Sequence, residues 1–482
     1  MNVKEGLTRR DALAGASAAV ALASGAVPAR AGGRPCSPPS LDGGLRSDPA
    51  ARRAAADDFG HIVERRPEAV LVPASADDLA ATVRWAARCG RKLAARGQGH
   101  STFGRSQVRG GIVADMSELR RIGPVRGDRV VVEAGVRWSE LLARTLARGK
   151  TPPVLTDYLE LSVGGTLAVG GVGGTSMSLG VQTDHVLQLE VVTGDGELLT
   201  CSATRNSDLF DAVRAGLGQV AVIIRATIGL VAAPRSVRRL QLFYPDLETM
   251  LADGRLLAGA GRFDAVQGAI LAPPSGGRVF RLDAARFFND PPPDDAALLA
   301  GLSDDPARRT AASLPYLDYL RRLAPLEAAL RENGQWSFPH PWLTTFVGDA
   351  RVERVVAAEL DRLDPPADLG PFGQVVVSPI GRAGIGTPLL RMPAGALSWA
   401  FNLIRIPATA DRGEARRLVK ANRETYKRVT DAGGVLYPVS AFPLSASGWR
   451  RHFGQSFAAL ARAKRRHDPS HTLTPGYELF QE

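Results

Sequence analysis

A histidine lies inside a glycine-rich turn near residue 100, and this combination suggests cofactor chemistry. The segment reads Gly97-Gln98-Gly99-His100-Ser101 and follows Lys92–Ala95, whose residue types predict a strand. Glycine allows the main chain to approach a ligand closely, and consecutive amide N–H groups in such a turn can bind a pyrophosphate. The third glycine of the dinucleotide-binding fingerprint is missing, so the segment does not predict a Rossmann fold.

A second glycine-rich segment lies about sixty residues further along the chain. Residues 164–174 contain six glycines, which is too many for a stable helix or strand. Valine and leucine side chains alternate with these glycines, whereas a plain linker would be rich in serine and asparagine. The pattern predicts a buried loop that packs against a flat partner, and a cofactor fits this description better than a linker does.

The elements that must position these two segments are short strands alternating with helices. Ser75 and Ser207 are predicted helix N-caps, and Gly194-Asp-Gly196 predicts a hairpin turn. We predict strands at residues 69–73, 92–95, 110–116, 129–134, 185–193, 197–200 and 221–228, and helices at residues 75–89, 139–146 and 207–214. After residue 235 the sequence becomes charged and proline-rich, and residues 290–295 predict a loop. The pattern is typical of an α+β protein with a second domain after residue 235.

Together the motifs resemble the vanillyl-alcohol-oxidase (PCMH-type) flavoprotein family, and within it the cytokinin dehydrogenases. The resemblance rests on Gly97–Ser101, on Thr156-Asp-Tyr-Leu159 leading into Val163–Leu167, on Leu189–Gly194, on Asn206–Val213 with Gly216–Gln219, and on His452–Gly454, Asp468-Pro469 and Pro475-Gly476. It covers roughly residues 65–230 and 449–480, and the central 200 residues match loosely.

The resemblance implies a two-domain PCMH-type fold that binds FAD. Residues 45–235 and the C-terminal return, 445–482, are expected to form the FAD-binding domain. Residues 236–444 are expected to form an inserted substrate domain, an antiparallel sheet capped by helices.

The resemblance also implies a set of cofactor contacts. His100 is the residue expected to carry FAD through an 8α-histidyl bond, and this bond is expected to be the single covalent link because no cysteine lies between Cys89 and Cys201. The other expected FAD-binding residues are Gly97, Gln98, Gly99, Ser101, Arg105, Asp157, Ser162, Ala168, Val172, Val222, Thr474 and Tyr477. No metal is expected.

Asp157 and Asn402 are the expected catalytic residues. Asp157 lies where cytokinin dehydrogenases keep an aspartate that accepts a proton from a substrate N–H, while a hydride passes to flavin N5. Its alternative role is to cap the turn before Tyr158. Asn402 lies on the family's pocket-lining Asn-Leu strand.

Three positions depart from the family pattern. Ala400 replaces a tryptophan, and the neighbouring Trp399 would point to the other face of its strand. Arg105 and Tyr477 each replace a glutamine, so the flavin contacts and the substrate pocket are expected to differ from those of relatives.

Three functions are compatible with these residues. The first is oxidation of an N6-alkyl adenine to an imine, which hydrolyses to adenine and an aldehyde, with oxygen or a quinone-type compound as electron acceptor. The second is an alcohol, sugar or natural-product oxidase, for which Asn402 and Arg405 would be pocket groups. The third is a non-catalytic secreted binding protein, and the intact Gly97–Ser101 loop argues against it.

The N-terminus and the overall charge bear on where the protein works. Arg9-Arg10, an apolar stretch from Ala12 to Val27 and Ala29-Arg30-Ala31 resemble a bacterial twin-arginine (Tat) signal over residues 1–31, which predicts a secreted or periplasmic protein. The apolar stretch is too short for a convincing membrane span. The net charge is +11, but the basic residues form no long run, and no nucleic-acid motif accompanies them. We therefore expect a small-molecule substrate, no nucleic-acid partner and no membrane span.

Overall fold

The computed structural model describes residues 36–273, 275–473 and 476–480. Pro38–Glu482 make up one compact unit, and the description below concerns that unit. The predicted export signal and Thr474 lie outside the described residues. Within the described ranges no helix is both long and apolar enough to span a membrane.

The first half of the chain builds two four-stranded sheets. Within the described residues the first sheet consists of β1 (Gly44–Arg46), β2 (Ala69–Val72), β3 (Leu93–Arg96) and β4 (Ile112–Asp115), in the order β1-β2-β4-β3. The strands that follow are β5 (Arg129–Glu133), β6 (Lys150–Thr151), β7 (Val186–Thr193), β8 (Leu198–Ser202), β9 (Ala221–Gly229) and β10 (Val231–Ala232). The second sheet has the order β5-β9-β7-β8, and β6 pairs with β10. Strands β2 and β3 run parallel to β4, whereas the strand pairs of the second sheet are antiparallel.

The second half of the chain builds one larger sheet. Its strands are β11 (Ser236–Tyr244), β12 (Ala265–Leu271), β13 (Val279–Phe288), β14 (Thr310–Pro315), β15 (Leu343–Gly348), β16 (Gln374–Gly381), β17 (Leu397–Ile404) and β18 (Val435–Leu436). They pair antiparallel in the order β14-β11-β13-β12-β16-β17-β15-β18. β11 begins at the predicted boundary after residue 235, although the domain division itself stays a prediction.

Helices accompany all three sheets. In the first half they are α1 (Pro49–Ala55), α2 (Ala76–Arg88), α3 (Trp138–Leu146), α4 (Val163–Leu167) and α5 (Ser207–Val213). In the second half they are α6 (Leu247–Ala260), α7 (Asp295–Leu299), α8 (Tyr316–Leu320), α9 (Ala324–Glu332), α10 (Asp349–Leu360), α11 (Pro365–Asp368), α12 (Arg412–Asp431), α13 (Ala446–Phe453) and α14 (Ser456–His467). Helices α6, α10 and α12 pack on the eight-stranded sheet. The fold is therefore α+β, with an antiparallel sheet covered by helices, as the resemblance implied.

Local sequence signals explain several element ends. The Ser75 hydroxyl accepts a hydrogen bond from the Asp78 amide and caps α2, as predicted. Ser207 is not the cap of α5: it is the first helical residue, and Asn206 precedes it in a left-handed conformation (φ 47°) without a side-chain cap bond. Asparagine tolerates this conformation better than serine does, which explains the shift of one residue.

The eight-stranded sheet has two different faces. On one face Trp399 is fully buried and donates to an Asp349 carboxylate oxygen at 2.8 Å. Its ring packs against Gly254 of α6, where any side chain larger than hydrogen would collide with it. Neighbouring residues of a strand point to opposite faces, so Asn402 lies on the other face, which we call the cavity face. The prediction that Trp399 points away from the pocket is confirmed.

Candidate active site

A cavity of about 740 Å³ lies between the glycine-rich segments and the cavity face. It brings together every described residue that was expected to bind FAD or to act in catalysis. These residues are Gly97, Gln98, Gly99, His100, Ser101, Arg105, Asp157, Ser162, Ala168, Val172, Val222, Asn402 and Tyr477. Residues far apart in the chain thus meet in one place, although lining the cavity does not by itself assign their roles.

The Gly97–Ser101 loop leaves β3 and turns along the cavity wall. Gly99 has φ +65°, a conformation that favours glycine. A β-carbon on Gly97 would lie 2.0 Å from the Ser162 hydroxyl oxygen, so only glycine lets the two loops approach this closely. Within the described residues, none of the five backbone N–H groups of residues 97–101 donates to a backbone or side-chain acceptor.

A buried carboxylate holds the far end of this loop. Asp58 accepts hydrogen bonds from the Ser101 hydroxyl at 2.5 Å, the Gly104 amide at 2.6 Å and the Gly60 amide at 3.1 Å. Burial raises the pKa of Asp58 to about 6, even though these hydrogen bonds act in the opposite direction. The loop that carries His100 is therefore fixed at one end by β3 and at the other by Asp58.

Aromatic rings hold the imidazole of His100. It stacks on Phe59 with ring centroids 4.0 Å apart and on Tyr158 at 4.9 Å, and Trp336 and Trp342 lie at 6.1 and 6.2 Å. Burial lowers the pKa of His100 to about 3, and the neighbouring His340 and Arg331 act in the same direction. The ring is therefore neutral at physiological pH.

The second glycine-rich segment differs from its prediction because residues Val163–Leu167 form the short helix α4. Glycine disfavours helices in isolation, but here it permits close packing: a β-carbon on Gly164 would lie 2.7 Å from that of Ala134. The Gly164 amide also donates to the Ala134 carbonyl at 2.9 Å. The rest of the segment is irregular, and Tyr437 fixes it by accepting a hydrogen bond from the Gly171 amide at 3.2 Å.

Asp157 faces the cavity and is held by two polar side chains. Gln267 donates to one carboxylate oxygen at 2.7 Å, and Arg322 donates to the other at 2.5 Å and to the Gln267 carbonyl oxygen at 2.7 Å. Burial alone would lower the pKa of Arg322, but the Asp157 carboxylate beside it raises that pKa overall. The arrangement holds both oxygens of Asp157 in place at the cavity wall, where they can accept a proton from a bound molecule.

These features fit an FAD molecule. Five amides without a protein acceptor in one loop suit pyrophosphate oxygens, because successive N–H groups in such a turn form an anion-binding site. Within the described residues neither ring nitrogen of His100 has a hydrogen-bonding partner, and the alternating glycines and valines of residues 163–174 offer a flat apolar wall. FAD, when bound, supplies the redox chemistry, and the protein supplies binding and orientation.

Arg105 and Tyr477, the two departures from the family's glutamines, contact each other. The Arg105 guanidinium lies 4.8 Å from the Tyr477 ring centroid and donates to the backbone oxygens of Phe442 at 2.7 Å, Gly476 at 3.2 Å and Ser440 at 3.3 Å. Burial lowers the pKa of Arg105 to about 10, so it stays charged at neutral pH. The pair links the His100 loop to the C-terminal segment.

Comparisons with known proteins agree with this site. Residues 67–202 match the family model of an FAD binding domain, and residues 294–480 match that of cytokinin dehydrogenase 1, FAD and cytokinin binding. The chain is 33% identical over 483 residues to cytokinin dehydrogenase 7 of Oryza sativa subsp. japonica, covering 90% of this chain and 91% of that one. The chain belongs to the cytokinin dehydrogenase family. It is also 42% identical over 441 residues to an uncharacterized oxidoreductase in the fasciation locus of Rhodococcoides fascians, covering 91% of this chain and 99% of that one.

A solved structure shows the same fold at lower sequence similarity. The 6-hydroxy-D-nicotine oxidase of Arthrobacter nicotinovorans matches with a TM-score of 0.72 and 21% identity, over 92% of this chain and 99% of that one. The PCMH-type fold is therefore confirmed. As a member of the cytokinin dehydrogenase family, the protein is an FAD-dependent oxidoreductase with a small-molecule substrate.

One pocket residue named for the alternative function is placed elsewhere. Arg405 is 1% exposed, donates to the Asn422 side-chain oxygen at 3.0 Å and to the Asp368 backbone oxygen at 2.6 Å, and does not line the cavity. Strand alternation puts it on the face opposite Asn402. It ties elements of the second half together and is not a pocket group.

Most of the cavity wall from the second half of the chain was not predicted from sequence, and neither was Phe59 from the first half. The second-half residues are Arg239, Gln241, Gln267, Arg281, Asp283, Arg322, Trp336, Trp342, Gln374 and Tyr437. A signal was present in β11 and β13, where polar residues recur at every second position among apolar ones (Arg239 and Gln241, Arg281 and Asp283).

Proposed function

We propose that the protein oxidises the side-chain amine of an N6-alkyl adenine, with FAD attached covalently to His100. The observation that carries the proposal is that the Asp157 carboxylate, held by two side chains, faces the same cavity as His100, a neutral histidine without a hydrogen-bonding partner among the described residues. The match to a cytokinin-binding family model over residues 294–480 supports the adenine-derived substrate.

His100 has the properties that a covalent link requires. Bond formation with the flavin 8α carbon uses a ring-nitrogen lone pair, which only the neutral imidazole offers. The lowered pKa of His100, about 3, ensures this form at neutral pH, and stacking on Phe59 and Tyr158 fixes the ring plane. The chain has no cysteine between Cys89 and Cys201, so the link is single.

Asp157 is the proton acceptor in this proposal. A carboxylate oxygen of Asp157 takes the proton from the substrate N–H as the adjacent carbon loses a hydride, and an imine forms. Arg322 and Gln267 hold the carboxylate in place by hydrogen bonds, so they are positioning residues. The imine then hydrolyses to adenine and an aldehyde.

Anaerobic mixing of the purified protein with isopentenyladenine tests the reaction, following the oxidised-flavin absorbance near ~450 nm. We expect rapid bleaching, and Asp157→Asn should slow it by about 10²–10⁴-fold while FAD content stays unchanged. Asp431→Asn is the matched control, because this exposed carboxylate lies at the end of α12. A flavin that stays oxidised with isopentenyladenine would refute the substrate assignment.

Acid precipitation tests the covalent link. The wild-type pellet should stay yellow, and the His100→Ala pellet should be colourless because its FAD remains in solution. His185→Ala, outside the cavity, is the control. A yellow His100→Ala pellet would show that another residue carries the flavin.

A second candidate function follows from the charged groups of the cavity. Arg239, Arg281 and Asp283 line its wall, which suits an alcohol, sugar or other polar natural product better than an alkyl chain. Bleaching by a polyol panel and not by isopentenyladenine would favour this function.

We also propose export and an external electron acceptor. The Arg9-Arg10 pair and the apolar stretch after it support twin-arginine export to the periplasm or beyond, and Arg9→Lys with Arg10→Lys should retain the protein in the cytoplasm. Oxygen or a quinone-type compound is the proposed acceptor, and the rate at which each reoxidises the bleached flavin distinguishes them.

A further inference from the structure

Three guanidinium groups line the substrate side of the cavity, and two of them have carboxylate partners. Arg239 Nε donates to an Asp283 oxygen at 2.9 Å, and its Nη2 bonds the other oxygen of the same carboxylate. Arg322 pairs with Asp157 at 2.5 Å. These two pairs are electrically balanced and hydrogen-bonded.

Arg281 is the third guanidinium, and it has no such partner. Within the part of the chain that the structure describes, its side chain makes no hydrogen bond or ion pair, and its Nε is buried without an acceptor. Asp283 lies two residues along the same face of β13, but Arg239 occupies both of its oxygens. Burial lowers the pKa of Arg281, the Asp283 carboxylate acts in the opposite direction, and the positive charge of Arg239 acts in the same direction as burial. Of the three guanidinium groups on this side of the cavity, Arg281 is thus the one without a hydrogen-bonded carboxylate. A partly buried charge without such a partner costs free energy unless an anion is bound.

The surroundings of Arg281 on the cavity face are arranged for a ligand. In the sheet register Arg281 pairs with Ala269, Ala269 with Val376, and Val376 with Asn402. Neighbouring strands lie ~4.8 Å apart, so three strand spacings place the Arg281 and Asn402 backbones roughly 14 Å apart. The apolar side chains of Ala269 and Val376 lie between them. Because the Ala269 and Val376 side chains are short, the part of the cavity face between Arg281 and Asn402, which we call the floor, leaves room for a ligand.

Two amide side chains beyond this floor also lack partners. The Asn402 side-chain oxygen is buried without a hydrogen-bond donor. Gln374, two residues from Val376 on the same face of β16, makes no side-chain hydrogen bond within the described residues and lines the cavity. Unsatisfied groups of this kind are expected where a ligand supplies the missing bonds.

We propose that Arg281 binds an anionic substituent of the substrate, a phosphate or a carboxylate, and that Asn402 and Gln374 bind its neutral polar groups. A planar guanidinium with free N–H groups forms paired hydrogen bonds with either anion. The substrate class rests on the proposed function: for an N6-alkyl adenine, the anionic form is the ribose 5′-phosphate. The anion site itself does not depend on turnover.

Ligand titration of the flavin-loaded enzyme at constant ionic strength tests the site, with flavin absorbance as the readout. The probes are adenosine 5′-monophosphate against adenosine, and inorganic phosphate against acetate, which distinguishes a phosphate site from a carboxylate site. The variants are Arg281→Met and Arg281→Lys, with Arg53→Met on the exposed face of α1 as control. We expect at least one anion to bind the wild type and the control alike, Arg281→Met to weaken it more than 10-fold, and Arg281→Lys to keep part of the affinity.

Substrate kinetics give the second arm. The phosphorylated riboside of isopentenyladenine should have a kcat/KM more than 10-fold above that of the riboside, and Arg281→Met should bring the ratio of these two kcat/KM values close to one. Three results would each overturn the proposal: equal anion binding by wild type and Arg281→Met, no anion binding at all, or loss of FAD from Arg281→Met. If Arg281→Met loses anion binding but no adenine derivative bleaches the wild-type flavin, the proposed function is refuted and the anion site is retained.

Discussion

Replacing Lys464 by methionine should destabilise the protein strongly, because this lysine is a buried cation with a complete set of partners. Lys464 is 1% exposed, and its ammonium group donates to the Asp468 carboxylate at 2.5 Å, the Leu473 carbonyl at 2.6 Å and the Gln219 carbonyl at 2.7 Å. Asp468 is fully buried and also accepts hydrogen bonds from the backbone amides of residues 472 and 473. The pair thus fastens the C-terminal segment beside β3, the strand that leads into the His100 loop.

The expected cost follows from what the substitution leaves behind. Methionine has a length similar to that of lysine, so little cavity forms, but the Asp468 carboxylate remains buried without its cation. Removing one partner of a buried ion pair costs about 3–5 kcal/mol. Asp468→Asn should also destabilise, and the double variant should be less destabilised than the sum of the single variants by about 1–3 kcal/mol.

Guanidinium unfolding, followed by tryptophan fluorescence and checked for reversibility, measures these free energies. Lys420→Met on the exposed surface of α12 is the matched control and should change stability by less than about 0.5 kcal/mol. A Lys464→Met variant within about 1 kcal/mol of wild type, or strictly additive single variants, would show that the pair does not hold the C-terminal segment.

Two further predictions concern the loop and the buried histidines. Gly97→Ala should lose most of its FAD, because the new β-carbon would lie 2.0 Å from the Ser162 hydroxyl oxygen. Adding Ser162→Ala should restore part of the FAD content. The control Gly44→Ala, which has open space around it, should bind FAD normally, and flavin content per protein measures all three variants. Burial lowers the pKa of His340 to about 4 and that of His452 to about 3. Between pH 6.5 and about 4 the unfolded chain therefore binds protons that the folded protein does not. The free energy of unfolding then falls as the pH falls, by about 1.4 kcal/mol per pH unit for each histidine. His452→Gln should flatten this dependence by that amount in unfolding curves between pH 7 and 4.5, and curves parallel to those of wild type would contradict the assignment.

The strand and the glycine-rich turn that lead to His100 could be predicted from sequence because their signals are local, whereas the cofactor contacts assigned to these residues rest on the family resemblance. The strand, turn and histidine of residues 92–101 are contiguous, and their geometry follows from glycine placement and strand alternation. The short helix α4 was missed because glycine lowers helix propensity in isolation, whereas here Gly164 allows contact with Ala134. Propensity describes the isolated chain, and tertiary packing decided the outcome.

The cavity wall formed by the second half of the chain could not be predicted, because its geometry depends on strand pairing over long sequence distances. Arg281 and Asn402 share one row of the sheet only because β13, β12, β16 and β17 pair in that order. A period-two polar pattern shows that a strand has a polar face, but it does not show which other strands share that face. The choice of Arg405 as a candidate pocket residue had another cause, because strand alternation alone already places it on the face opposite Asn402.

The contact between Arg105 and Tyr477 joins the two positions at which the resemblance implied glutamines. A charged guanidinium could not replace a glutamine in this buried loop without new acceptors and a polarisable neighbour. The backbone oxygens of Phe442, Gly476 and Ser440 supply the acceptors, and the Tyr477 ring, 4.8 Å away, supplies an attractive cation–π contact. The Tyr477 hydroxyl in turn donates to the Pro438 carbonyl at 3.1 Å, which places the ring independently of the arginine. Either substitution alone would lose this contact, so we infer that both residues together set the cavity wall where the His100 loop meets the C-terminal segment.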